Sequence, residues 1–111
     1  MLIRGDVYAV PAARGASGHE QRGPRLGVVV QADDLSLSTV VLAPTSRSAP
    51  PRIFRPEVQV GEERTCVLVE QLRTLDVSRL GPLVGHLDLA DQRSVDLALE
   101  LVLALDRPGV V

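Results

Sequence analysis

The sequence predicts a mainly β domain of the α+β class: a small antiparallel barrel or half-barrel of five or six short strands, closed by one C-terminal amphipathic helix. Three observations carry this reading. Short β-branched runs recur between Gly- and Pro-rich turns over residues 5–87. After Asp88 the apolar period becomes helical. The 111 residues, 45% of them hydrophobic with 17 Val and 17 Leu, supply one aliphatic core and no second domain, so residues 1–111 are read as a single unit.

Each element follows from its own residues. Gly5 to Val10 alternates small or polar residues with large apolar ones and stops at Pro11, as a first strand does. Residues 11–24 change to Gly, Ala, Ser, Arg, His, Glu and Gln, which predicts a long exposed loop. Arg25 to Gln31 is a β-branched run suited to burial on both faces. After a polar turn, the matching run Thr39 to Ala43 ends at Pro44, and the two runs are the expected central pair. Residues 45–52 are again polar and Pro-rich, and in the following Ile53 to Val60 the Pro56 demands an edge or a bulge. A turn at Gly61-Glu62-Glu63 leads into a strand from Arg64 to Gln71, so these two segments form a hairpin. Asp76 caps one helical turn that Gly81 ends, and Pro82 to Leu87 supplies a last short strand. Val95, Ala98, Leu99, Val102 and Leu105 then mark one face of a helix of about four turns, capped by Asp88 and ended by Pro108-Gly109.

Composition excludes several functional classes. The longest aliphatic run, Leu101 to Leu105, falls far short of the roughly 20 residues that span a bilayer. The N-terminus meets a charge at Arg4 and has no apolar h-region, so neither secretion nor membrane attachment is expected and the protein is read as cytoplasmic. Cys66 stands alone and is expected to pack in the core, and two His supply no ligand cluster of the usual spacing, so neither metal nor cofactor is expected. The net charge of −2 hides a division: residues 1–56 carry +3 and residues 57–111 carry −5. A basic half suggests an anionic ligand. All twelve cations are Arg, whose planar fork grips phosphate and carboxylate, although GC-rich coding yields the same bias.

Chemistry concentrates in the loop Gly18-His19-Glu20-Gln21-Arg22-Gly23-Pro24-Arg25, which sets a carboxylate, an amide and two guanidinium groups before a buried strand. Pro44-Thr45-Ser46-Arg47-Ser48 places hydroxyls at the end of the next run. In an antiparallel pair the start of one strand lies beside the end of the other, so Arg25 is expected to share a rim with Thr45 or Ser46. A fixed cation and a hydroxyl aimed at one point suit the charge that develops on a phosphoryl oxygen. His19 and His86 both follow Gly; the first reads as an exposed loop residue and the second as structural.

Taken in order, Arg4-Gly5-Asp6-Val7-Tyr8, Gly18-His19-Glu20-Gln21 with Arg25, Ala43-Pro44-Thr45-Ser46, and Val69-Glu70-Gln71 with Arg73-Thr74 resemble the MazF/PemK family of toxin endoribonucleases over residues 4 to about 105. The resemblance implies an SH3-like barrel of the CcdB/PemK type with five to seven strands, a homodimer, and a cognate MazE-like antitoxin. It also implies metal-independent, sequence-specific cleavage of single-stranded RNA by 2′-OH attack, leaving 2′,3′-cyclic phosphate and 5′-OH ends. Carried over by position, the catalytic candidates are Arg25, Thr45, Ser46 and Glu20, and the RNA-binding candidates are Gln21, Arg22, Arg47, Gln71 and Arg73. Two departures stand out. The family's Gly-x-Arg-Pro is here Gly23-Pro24-Arg25-Leu26, and spacing from the proline selects Ser46 where residue type selects Thr45. The alternative reading is a non-catalytic, CcdB-like toxin of the same barrel shape that acts by binding a protein; the block from Glu20 and Gln21 to Arg25 speaks against it.

Overall fold

A computed structural model describes residues 2–11, 25–107 and 109. Seven antiparallel strands form one strongly bent sheet: β1 (Asp6–Val10), β2 (Arg25–Val29), β3 (Thr39–Ser46), β4 (Glu57–Val60), β5 (Glu63–Val67), β6 (Arg73–Asp76) and β7 (Leu83–His86). Six of them follow the path β4-β5-β3-β2-β1-β7, and β6 adds to β3 off that path. The two ends of the path meet, which nearly closes a barrel. Gly85 of β7 lets the seam pack closely, because a Cβ there would stand 3.3 Å from Val60 Cγ1 of β4 and press it back by a few tenths of an ångström. Helix α1 (Leu89–Val102) packs on β4 and on the 3₁₀ turn Val69–Gln71.

Strand alternation divides the apolar residues between two clusters. Val7, Val28, Ala43, Val58, Val60 and Val67 turn inward and meet Val95 and Ala98 of α1. Val10, Val29, Val40, Leu42 and Leu75 pack on the opposite face of the sheet. Adjacent Val28 and Val29 therefore bury on opposite faces, as the unbroken β-branched run predicts. Each such fully buried side chain contributes about 1.5–3 kcal/mol relative to exposure.

The strands depart from the sequence reading where neighbours change. Pro44 does not end β3, which runs on to Ser46. Leu42 is the last β3 residue paired with β6, and Thr45 is the first paired with β5. Pro44 falls in the gap between them, where no ladder requires its missing N–H, and its carbonyl accepts from Leu68 N. On the other side Pro44 lies opposite Gly27 of β2. Residues Arg73 to Asp76, to which the sequence reading assigns no strand, form β6; with Leu75 their single buried residue, alternation gave no signal. The run from Arg64 to Gln71 stops as a strand at Val67 and turns into 3₁₀ geometry, closed by Gln71 N donating to Leu68 O. Of the three expected turn residues only Gly61 and Glu62 lie outside the strands, Glu63 opening β5, and Gly61 takes φ +59°, which favours a residue without a Cβ.

Asp88 caps α1 by accepting Asp91 N at 2.8 Å, and Asp91 in turn accepts Gln59 N of β4, tying the first helical turn to the barrel. Arg4 fastens the middle of the helix through Asp96 at 2.6 Å. The helix ends at Val102, six residues before the expected Pro108. A C-terminal lock ends it: Ala104 N donates to Leu101 O and Leu105 N to Glu100 O, with Ala104 in the left-handed region at φ 58°. Leu105 is consequently 68% exposed rather than part of the buried stripe.

Candidate functional site

The β2–β3 pairing fixes the site. Gly27 lies opposite Pro44 as the last pair of that ladder, and beyond it Arg25 and Leu26 at the start of β2 and Thr45 and Ser46 at the end of β3 line one pocket. At this end of the barrel β3 has already joined β5, with Thr45 opposite Val67 and Ser46 opposite Cys66. The strand ends enclose an open pocket of about 490 Å³. Arg25, Thr45, Ser46, Arg47, Ser48 and Thr65 bring cationic and hydroxyl groups to its wall, Glu63 adds one carboxylate, and Ala9 and Leu26 supply apolar surface.

The two candidate hydroxyls have different duties. Ser46 Oγ accepts Ser48 N at 3.3 Å and Ala49 N at 3.1 Å and also meets Ser48 Oγ, so it holds the turn after β3. Thr45 is buried beside it, and no hydrogen bond among the described residues engages its hydroxyl. Arg47, on the exposed rim, pairs with Glu63 of β5 at 3.1 Å. Arg25 lies exposed at the start of β2, and it too is engaged within the protein. A residue that pattern reading passed over, Thr65, also reaches the pocket: it is 4% exposed, and its Oγ1 has no hydrogen-bond partner among the described residues.

Other predicted positions fall elsewhere. Glu20, Gln21 and Arg22, together with His19, lie outside the described residues. Gln71 ends the 3₁₀ turn, and Arg73 on β6 donates to the Pro11 carbonyl at 3.1 Å; neither lines the pocket. Beside Gln71, Glu70 is held by Arg55, which also stacks 5.5 Å over the Phe54 ring and fastens the segment before β4 to the turn. The hydrogen bond to Glu70 raises the Arg55 pKa further above its ordinary value.

His86 is structural as expected: its Nδ1 meets buried Asp6 Oδ1 at 2.8 Å, and its Nε2 meets Gln92 of α1. Burial and the neighbouring Asp6 raise the Tyr8 pKa. Cys66 is buried and donates to Ala49 O at 3.4 Å, and burial pushes its thiol up. Among the described residues no three His, Cys, Asp or Glu side chains converge as ligands for a metal ion. No described helix is long and apolar enough to cross a membrane.

Comparison with known proteins agrees with this architecture. A family model described as "PemK-like, MazF-like toxin of type II toxin-antitoxin system" matches residues 3–103. The chain is 41% identical over 106 residues to a candidate toxin of Mycobacterium tuberculosis, covering 95% of this chain and all of that one. It is 36% identical over 113 residues to the endoribonuclease EndoA of Bacillus subtilis, covering 95% and 97% of the two chains. A mycobacterial endoribonuclease solved in complex with its cognate antitoxin superposes with a TM-score of 0.80 over 97% of this chain and 100% of its own; at 19% identity it shows the shared fold. A match spanning nearly every element of the barrel, joined to relatives of this identity and coverage, places the chain in the family of PemK-like, MazF-like toxins of type II toxin-antitoxin systems.

Proposed function

We propose that this protein is the toxin of a toxin-antitoxin pair and works in the cytoplasm as a sequence-specific endoribonuclease on single-stranded RNA. The observation that carries the reading is the pocket that brings Arg25 beside Thr45 and Ser46 at the barrel mouth. The Bacillus subtilis relative, named an endoribonuclease, supports it, and the mycobacterial neighbour solved with its antitoxin supports a MazE-like partner.

The arrangement suits attack by the substrate's own 2′-OH. The ribose oxygen bonds to the adjacent phosphorus, the bond to the 5′ oxygen breaks, and the products are a 2′,3′-cyclic phosphate and a 5′-OH. Because the nucleophile is already part of the RNA, the protein has to orient it and stabilise the pentavalent phosphate. Arg25 is the clamp for the phosphoryl oxygens, and its permanent charge disqualifies it as a base. Thr45 supplies the second donor, its hydroxyl lying outside the turn contacts that fix the orientation of Ser46 Oγ. Glu20 or water removes the 2′-OH proton, and a proton from solvent returns to the leaving 5′ oxygen. Gln21, Arg22, Arg47, Gln71 and Arg73 are the proposed RNA contacts. Only Tyr8 and Phe54 offer aromatic faces, so base recognition rests on hydrogen bonds and Arg stacking.

Incubation of the purified chain with a long RNA in excess EDTA tests this reading. Discrete fragments ending in cyclic phosphate are the expected result. No cleavage, or cleavage that appears only when Mg²⁺ is restored, would overturn it.

A further inference from the structure

Thr65 stands where a core would ordinarily receive valine. On β5 it lies opposite Val58, one step of alternation from Val67, and both of those valines are fully buried in the inner cluster. A hydroxyl at an inward position loses its water, and the loss is recovered only through a hydrogen bond. Among the described residues Thr65 Oγ1 has none, and it is the one side-chain oxygen or nitrogen there that is both shut off from solvent and without a partner. The same residue lines the pocket that holds Arg25 and Thr45. An unpaired donor beside the pocket calls for an acceptor from a bound molecule.

The pocket's layout narrows what that molecule presents. Arg25 and Arg47 are exposed at its rim, where a phosphate backbone can meet them in solvent, Arg47 beside its partner Glu63. Thr65 is nearly inaccessible, and Ala9 and Leu26 give the adjoining wall an apolar face. A volume of about 490 Å³ lies in the range of small-ligand sites, with room for one unstacked base. Single-stranded RNA is read in this manner, with bases turned out of the stack and hydrogen-bonded along their edges. Building on the endoribonuclease reading above, we propose that Thr65 is a specificity-determining residue: its hydroxyl donates to an acceptor on the edge of a base laid into this pocket, while the rim arginines hold the flanking phosphates.

Thr65→Val is close to isosteric and removes only the hydroxyl, and Thr65→Ser keeps the hydroxyl while losing a methyl. Both variants and the unaltered chain are given one pool of RNAs randomised around the cleaved bond, with kcat/KM measured for each sequence and Tm for each protein. The expected result is a Thr65→Val protein with Tm unchanged or raised, roughly tenfold or more weaker on the preferred sequence, and little changed on sequences differing at the recognised base. Thr65→Ser should retain the preference. A Thr65→Val enzyme with the original rates and preferences would overturn the proposal, and so would a uniform loss on every sequence. An unaltered chain that cuts no RNA in the pool would instead overturn the endoribonuclease reading.

Discussion

Two adjacent hydroxyls on β3 point to different consequences when removed. Ser46 Oγ receives two backbone amides of the following turn, so Ser46→Ala leaves both donors without their acceptor and should cost about 1 kcal/mol of stability. Thr45→Val keeps the volume of a buried side chain and should leave Tm nearly unchanged, yet lower RNA cleavage roughly 100-fold as a lost transition-state donor does. Urea denaturation and single-turnover cleavage of both variants decide the matter. A well-folded Thr45→Val enzyme at full rate beside an inactive Ser46→Ala enzyme would reverse the assignment. Arg25→Ala should likewise lower cleavage by at least about 100-fold, because a clamp on developing charge acts in the transition state. A folded Arg25→Ala protein with normal rates would remove Arg25 from the site. At this scale the sequence was informative about Arg25, Thr45 and Ser46, since a strand start and a strand end meet in any antiparallel pair. It was silent about Thr65, whose significance depends on an unmade hydrogen bond that no pattern of residues records.

Element ends carry costs and supports that can be measured separately from the site. The lock at the end of α1 obliges Ala104 to adopt φ 58°, a conformation in which a Cβ costs roughly 1–2 kcal/mol. Ala104→Gly should therefore stabilise the protein by about 0.5–1 kcal/mol, part of the relief being offset by glycine's greater freedom when unfolded. A lower urea midpoint for Ala104→Gly would contradict that account. Asp76 caps the 3₁₀ turn Val77–Arg79, and hydrogen bonds from the Ser78 hydroxyl and amide hold its carboxyl below the ordinary range. Its folded pKa lies below the unfolded value near 3.9, so its contribution is present above that pH and is lost as pH falls through the folded value. Asp76→Asn should lose less stability than the unaltered chain between about pH 5 and 3, and an identical pH profile would exclude the cap as an acid-sensitive contact. Such end effects explain what the sequence left obscure. Long β-branched runs announced β2 and β3, and Asp88 announced α1, because burial and capping act through local residues. The passage of β3 through Pro44, the addition of β6 and the early stop of α1 depend on which neighbour lies alongside, and this is decided by tertiary pairing.

The whole molecule leaves apolar surface that a solitary barrel does not cover. Leu97, Leu103 and Leu105 are each at least half exposed along or just beyond α1, and Leu35 and Leu37 are similarly exposed between β2 and β3. Monomers seldom display so many large aliphatic groups together without a partner surface. The charge division adds a second reason: the half with +3 carries Arg25 and Arg47, and a twofold axis would double that positive field along one RNA path. A homodimer is therefore expected, with RNA and an acidic antitoxin segment competing for the same arginines through phosphate or carboxylate oxygens. Sedimentation equilibrium at micromolar concentration should give a mass of about 24 kDa, twice the 11.9 kDa chain. RNA binding by that species should weaken steeply as salt rises, because each phosphate neutralised releases condensed counterions. The two measurements separate the two reasons. A species near 12 kDa that cleaves RNA would defeat the dimer while sparing the pocket, whereas a dimer whose RNA affinity ignores salt would leave the apolar argument standing and remove the arginines from the path.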